Sequence, residues 1–213
     1  MQERNYDATS VYRRESIQGF TVLFNPQLRA HQAAAQDLQA ELARQLKQVS
    51  EVVPAGALDA LRKVRIWVEW NKRRNVAMEF HSSAKWLEEN GYNPEKAGDV
   101  EIANSLHFVN WSRAGQPCML LHELAHAYHF RVLGERHPGI AAAYQLALAS
   151  KSYEAVEHVH GGKRRAYALN NHKEYFAELS EAYFCKNDFY PFTRADLRNH
   201  DPAGYNLLQQ LWR

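Results

Sequence analysis

Cysteine is scarce in this chain: two residues, Cys118 and Cys185, among 213. Two are too few to define a disulfide framework. Net charge is nearly absent too, at +2, which speaks against a nucleic-acid or membrane-surface partner. No stretch approaches the ~18 consecutive apolar residues of a membrane span. Internal repeats, low-complexity tracts and long linkers are missing, and 46% apolar with 23% charged residues is an ordinary globular balance. The amino terminus, Met1-Gln2-Glu3-Arg4-Asn5, lacks the apolar core of a signal peptide. That leaves a cytosolic protein or a secreted one without its leader, and the reading leans to the second. Oligomeric state is not legible.

What is present reads as one α+β domain over residues 1–213, with a helical part over 1–60 and a core over 61–213. Asn25-Pro26 opens a helix whose stripe is Leu28, Ala35, Leu38, Leu42, Leu46 and Val49, ending before Pro54. Val64 to Trp70 alternates as a strand, Val76 to Phe80 suggests a second, and Asp99 to Ala103 a third at a sheet edge. Ser83 caps a short helix that Gly91 stops. Pro117 starts a strong helix running to Gly134, and another follows Pro138-Gly139 through Ser150. Tyr153–His160 and Arg164–Leu169 pattern as a hairpin about Gly161-Gly162. Helices over about His172–Lys186 and Ala203–Trp212 complete the chain. The expected architecture is a small mixed sheet packed on helices.

The segment His122-Glu123-Leu124-Ala125-His126 carries the chemistry. Histidines four apart project from one helix face about a turn apart, so two imidazoles occupy two corners of a zinc tetrahedron. Glu123 lies where it reaches a metal-bound water rather than the metal. Chance placement in a chain of this composition yields the pattern roughly 0.04 times. A catalytic zinc needs a third protein ligand, and no third histidine follows in a metzincin spacing. The helix Asn171 to Leu179 is the better source: Glu174, Glu178 and Glu181 fall within a ~60° wedge, with Phe176, Leu179 and Tyr183 on the other side. In isolation three such carboxylates read as a solvated face; beside HELAH, Glu174-x-x-x-Glu178 supplies one ligand and one carboxylate acceptor for a ligand histidine.

HELAH followed by Glu174 in Glu-Tyr-Phe-Ala-Glu is similar to the gluzincins, most closely to the catalytic domain of anthrax lethal factor and its bacterial relatives. The resemblance covers about residues 117–185 and implies a zincin-like metallopeptidase. It implies Zn²⁺ held by His122, His126 and Glu174, with Glu123 as the base that activates the zinc-bound water. It also implies that Glu178 orients a ligand imidazole, that of His122, and that Tyr167, seven residues before Glu174, donates to the developing oxyanion. The implied function is a zinc metalloendopeptidase acting on peptide or protein substrates. The alternative is a zinc-binding interaction protein with a vestigial peptidase fold.

Ala-Met-Glu-Phe at 77–80 lacks the Gly and Asn of the Gly-x-Met-Glu-Asn segment of gluzincin aminopeptidases, which favours an endopeptidase. The strand at Val100 to Ala103, taken as an edge, would pair with an extended substrate. His158 and His160 read as polar residues on an exposed hairpin face, and His107, Trp111 and Tyr128 as core or rim packing. Cys118 and Cys185 read as unlinked buried thiols, with a bridge beyond the metal site as the alternative.

Overall fold

Residues 13–24, for which the sequence pattern predicts no strand, form an antiparallel hairpin of β1 (Arg13–Ile17) and β2 (Phe20–Phe24). The turn residues Gln18 and Gly19 both hold positive φ, 52° and 84°. A tight two-residue connection between twisted strands requires this backbone, and glycine reaches it without strain. The computed structural model describes residues 6–213, so the polar segment 1–5 lies outside the described residues. The part over 1–60, expected to be helical, holds this hairpin of the main sheet as well as a long helix.

β2 runs parallel to β3 (Ile66–Val68), β3 parallel to β5 (Val100–Ile102), and β5 antiparallel to β4 (Glu79–Phe80), giving the order β1-β2-β3-β5-β4. Two expectations are corrected. The predicted strand over Val64–Trp70 shrinks to three residues, all buried, because both sheet faces are covered. Val22, Phe24, Ile66, Val68, Val100 and Ile102 share the face packed on the helices. Leu23 and Trp67 lie on the other face with Tyr12. The strand near Val100 is not an edge, since β3 and β4 pair with it on either side. The edge beside the HELAH helix is β4.

Around the sheet lie α1 (Gln32–Val52), α2 (Ala55–Leu61), α3 (Ala84–Glu89), α4 (Ser105–Ala114), α5 (Met119–Tyr128), α6 (Pro138–Ser150), α7 (His172–Phe184), α8 (Arg194–His200) and α9 (Pro202–Leu211). The Asn25 side chain caps only a short 3₁₀ turn, Pro26–Ala30, by accepting from Gln27 N at 2.9 Å. The long helix then starts afresh and buries Leu38, Leu42, Leu46 and Val49 as its stripe predicts. The helix after Pro117 passes at His129 into a π-helical stretch, His129–Gly134. The hairpin predicted for residues 153–169 is reduced to β6 (Val156–Glu157) and β7 (Lys163–Arg164). Among the described residues no helix is long and apolar enough to cross a membrane.

Beneath the sheet face that carries Trp67 lies a buried ionic network. Lys96 Nζ contacts Glu69 Oε1 at 2.6 Å and Glu101 Oε1 at 2.5 Å, and His81 Nε2 meets Glu101 Oε2 at 2.6 Å. Tyr12 and Asn25 add hydrogen bonds to Glu69. Burial opposes ionisation of Glu101, but His81 and Lys96 outweigh it and pull the carboxyl down to about 2. Because the folded value lies below the ordinary 4.5, the stabilisation is full above that pH and disappears as pH falls toward about 2. Lys96→Met is expected to cost about 3–5 kcal/mol at neutral pH, since two buried carboxylates lose their cation. Urea unfolding checks this; a loss below ~1 kcal/mol would show that the network contributes little.

Candidate metal centre

α5 lays Leu120, Leu121, Leu124 and Ala125 into the core. The helical period therefore turns His122, Glu123 and His126 toward an open cleft. α7 packs against it, burying Tyr175, Phe176, Leu179 and Ala182. The Asn171 side chain accepts from Lys173 N and Glu174 N at 2.9 and 3.0 Å, an N-cap that fixes Glu174 in the first turn. A disulfide, Cys118–Cys185, joins the residue before α5 to the residue after α7. The expectation of unlinked thiols is corrected: the two helices pack so that their cysteine-bearing ends lie 6.4 Å apart between Cα atoms.

His122 Nε2 and His126 Nε2 stand 3.1 Å apart, and Glu174 Oε2 lies 3.0 and 3.2 Å from them. Bonds of about 2.0–2.1 Å to a tetrahedral ion place its corners roughly 3.3 Å apart. The three donor atoms already have nearly that spacing, and two imidazoles with one carboxylate suit Zn²⁺. Burial works against the Glu174 carboxylate, yet hydrogen bonds from His122 and His126 hold it well below the usual carboxylate range. Burial likewise opposes charge on His122, and hydrogen bonds to Glu174 and Glu181 outweigh it and raise the imidazole.

The carboxylate on His122 Nδ1 is that of Glu181, at 2.7 Å. Glu178, expected in that place, has its Oε1 3.7 Å away and accepts instead from Asn187 Nδ2 at 3.2 Å. Both glutamates belong to the predicted wedge, and the packing of α7 on α5 selects the one nearer the histidine. Burial raises both, and the adjacent charge of Glu181 raises Glu178 further.

Glu123 is no part of the donor triangle. Its Oε2 accepts from Phe80 N at 2.7 Å, so the edge strand holds this carboxylate in place. Ala77 and His81 bond inward, to Asn104, Asp99 and Gly98. By strand alternation Met78 and Phe80 turn their backbone groups to the cleft. Tyr167 opens the 3₁₀ turn Tyr167–Leu169 rather than closing a strand. Its ring is 6.4 Å from that of His122 and it is 45% exposed.

Two cavities of about 340 and 330 Å³ flank the site and share Val76, Met78, His122, Glu123 and Tyr167. The structure thus gathers His122, Glu123, His126, Tyr167, Glu174 and Glu178 at one cleft. Sequence reasoning missed the Phe80 amide and Asp188, which also border it. Trp111, expected as core or rim packing, lies at the rim and is 37% exposed there. His158 is buried rather than exposed, bridged to Phe189. A second grouping, Glu79 with His81 and Glu101, is already engaged by Arg73 and Lys96.

The fold and cleft together define a mixed sheet packed on helices with a His–His–Glu cluster at the junction of two of them. No protein-family model matches the chain, and no curated protein matches it. Among solved structures it is similar to the PRO-PRO endopeptidase PPEP-2 from Paenibacillus alvei, with 21% identity and a TM-score of 0.46 over 81% of this chain and 90% of that one. A likeness of this strength assigns neither a family nor an activity.

Proposed function

We propose that this chain is a zinc-dependent metalloendopeptidase of the gluzincin type, related to the lethal factor catalytic domain that its motifs resemble. The observation that carries the reading is the triangle of His122, His126 and Glu174 with Glu123 held beside it by the Phe80 amide. Zinc, when bound, supplies a Lewis acid that acidifies a water and polarises the scissile carbonyl. Glu123 accepts the proton of the attacking water and returns it to the leaving amine. Glu181 holds the His122 ring through Nδ1, with Glu178 behind it. The Tyr167 hydroxyl donates to the oxyanion that develops on the carbonyl. Space on both sides of Glu123 suits an extended chain running past the site, and the outward groups of Met78 on the β4 side offer it main-chain partners.

Digestion of a mixed peptide library tests this. Cleavage at internal bonds, abolished by a chelator and restored by zinc, is expected. Stoichiometric zinc without any cleaved peptide would favour the zinc-binding interaction protein. Tyr167→Phe is a narrower check. It should leave zinc content and melting temperature unchanged while lowering kcat by ~10²–10³, because one oxyanion donor is lost. Full activity would reduce Tyr167 to a packing role.

A further inference from the structure

The two cavities differ in charge. The one that extends past Asn75 toward Trp111 and Phe189 has no Lys or Arg among the described residues of its wall, yet four carboxylates border it. Three of them have other duties: Glu123 bonds the Phe80 amide, and Glu178 and Glu181 stand behind His122. Asp188 has none in the metal centre. It is only 8% exposed, and its Oδ2 accepts from Gln116 Nε2 at 3.0 Å. Its Oδ1 accepts from no described residue. The imidazole nearest to it, His158, lies 3.8 Å from Oδ2, and burial followed by the charge of Arg164 lowers that ring's basicity. Asp188 is thus a nearly buried carboxylate in a cavity wall, with one oxygen unpaired and no Lys or Arg beside it among the described residues, so a positive group entering the cavity gains a charge-assisted partner. In the same cavity wall Trp111, Met119 and Phe189 provide apolar and aromatic surface, which suits the methylene stem of a long cationic side chain and the face of its head group.

We propose that this cavity is a subsite for a Lys or Arg side chain of the bound peptide, with Asp188 as its charge partner. The proposal rests on the peptidase reading and adds a substrate preference to it. A peptide that runs antiparallel to β4 enters at the Ser82 end and leaves at the Asn75 end. The basic residue therefore follows the bond that is cut. The opposite cavity, where Lys173 pairs with Glu135, has no matching excess of negative charge free for such a group.

Binding separates this from catalysis. Terminally blocked hexapeptides with one Lys moved through each position, and matched peptides with norleucine, are titrated by fluorescence polarisation into the zinc-loaded Glu123→Gln protein. Lys at one position should bind at least about tenfold tighter than norleucine there, as a hydrogen bond to a charged group warrants. Arg should behave alike, and acetyl-lysine should lose the advantage. Asp188→Asn, with zinc content and melting temperature checked, should abolish the preference. Asp188→Lys should transfer it to Glu peptides. Equal or absent binding of the Lys and norleucine sets overturns the proposal, as does a preference that survives Asp188→Asn or acetylation. The same peptides are then offered to the wild-type protein. A binding preference without cleavage sinks the peptidase reading and leaves the subsite standing. Cleavage with no basic preference does the reverse.

Discussion

Glu123→Gln is expected to keep one zinc ion per chain while lowering peptide turnover by at least ~10²-fold. The carboxylate lies outside the triangle of donor atoms, so in the proposed site a bound zinc would lose none of its three protein ligands. Glutamine has the same length, and its side-chain oxygen can still accept from the Phe80 amide that now holds Glu123 Oε2 at 2.7 Å. The substitution therefore removes basicity with little change of shape. Metal analysis beside steady-state kinetics reads both consequences. A variant that loses its zinc would make Glu123 a ligand, and one that keeps full activity would remove it from the proton path.

The second large effect separates the three glutamates of α7. Glu174→Ala is expected to weaken zinc binding by far more than ~100-fold, because an oxygen that sits 3.0 and 3.2 Å from both imidazole nitrogens disappears. Glu181→Ala should cost ~10–100-fold, since His122 keeps its metal-facing nitrogen but loses the acceptor that orients the ring. Glu178→Ala should cost less than either, its oxygen being 3.7 Å from Nδ1. Competition against a chromophoric chelator gives the order. If Glu181→Ala proved the most damaging, the metal would belong to the neighbouring group of His122, Glu178 and Glu181 and the assignment of Glu174 would fall.

Much of this centre is local in origin. Two histidines a turn apart on a helix, and three glutamates within one wedge of another, follow from helical periodicity alone. The side chains that the period sends to the core, such as Leu120, Leu124, Phe176 and Leu179, are the buried ones. The β1–β2 hairpin escaped notice because its outer strand is polar, with Arg13 and Arg14 exposed, and because Gln-Gly is a weaker turn signal than Asn-Gly. The choice between Glu178 and Glu181 escaped the sequence for a different reason. Both lie in the wedge, and the way α7 packs on α5 decides which carboxylate meets Nδ1.

By itself the sequence determined the HELAH helix, the glutamate helix and the residue types that could meet at a metal, because these depend on contacts within a few residues along the chain. Tertiary structure alone decided that β4 and not β5 is the sheet edge, and that the Phe80 amide reaches Glu123. It likewise joined Cys118 to Cys185 and turned Trp111 and Asp188 into the cleft. Strand order, helix crossing and the direction of loop side chains arise from pairings between distant segments. Their selection rests on the burial of the whole core, which no local pattern encodes.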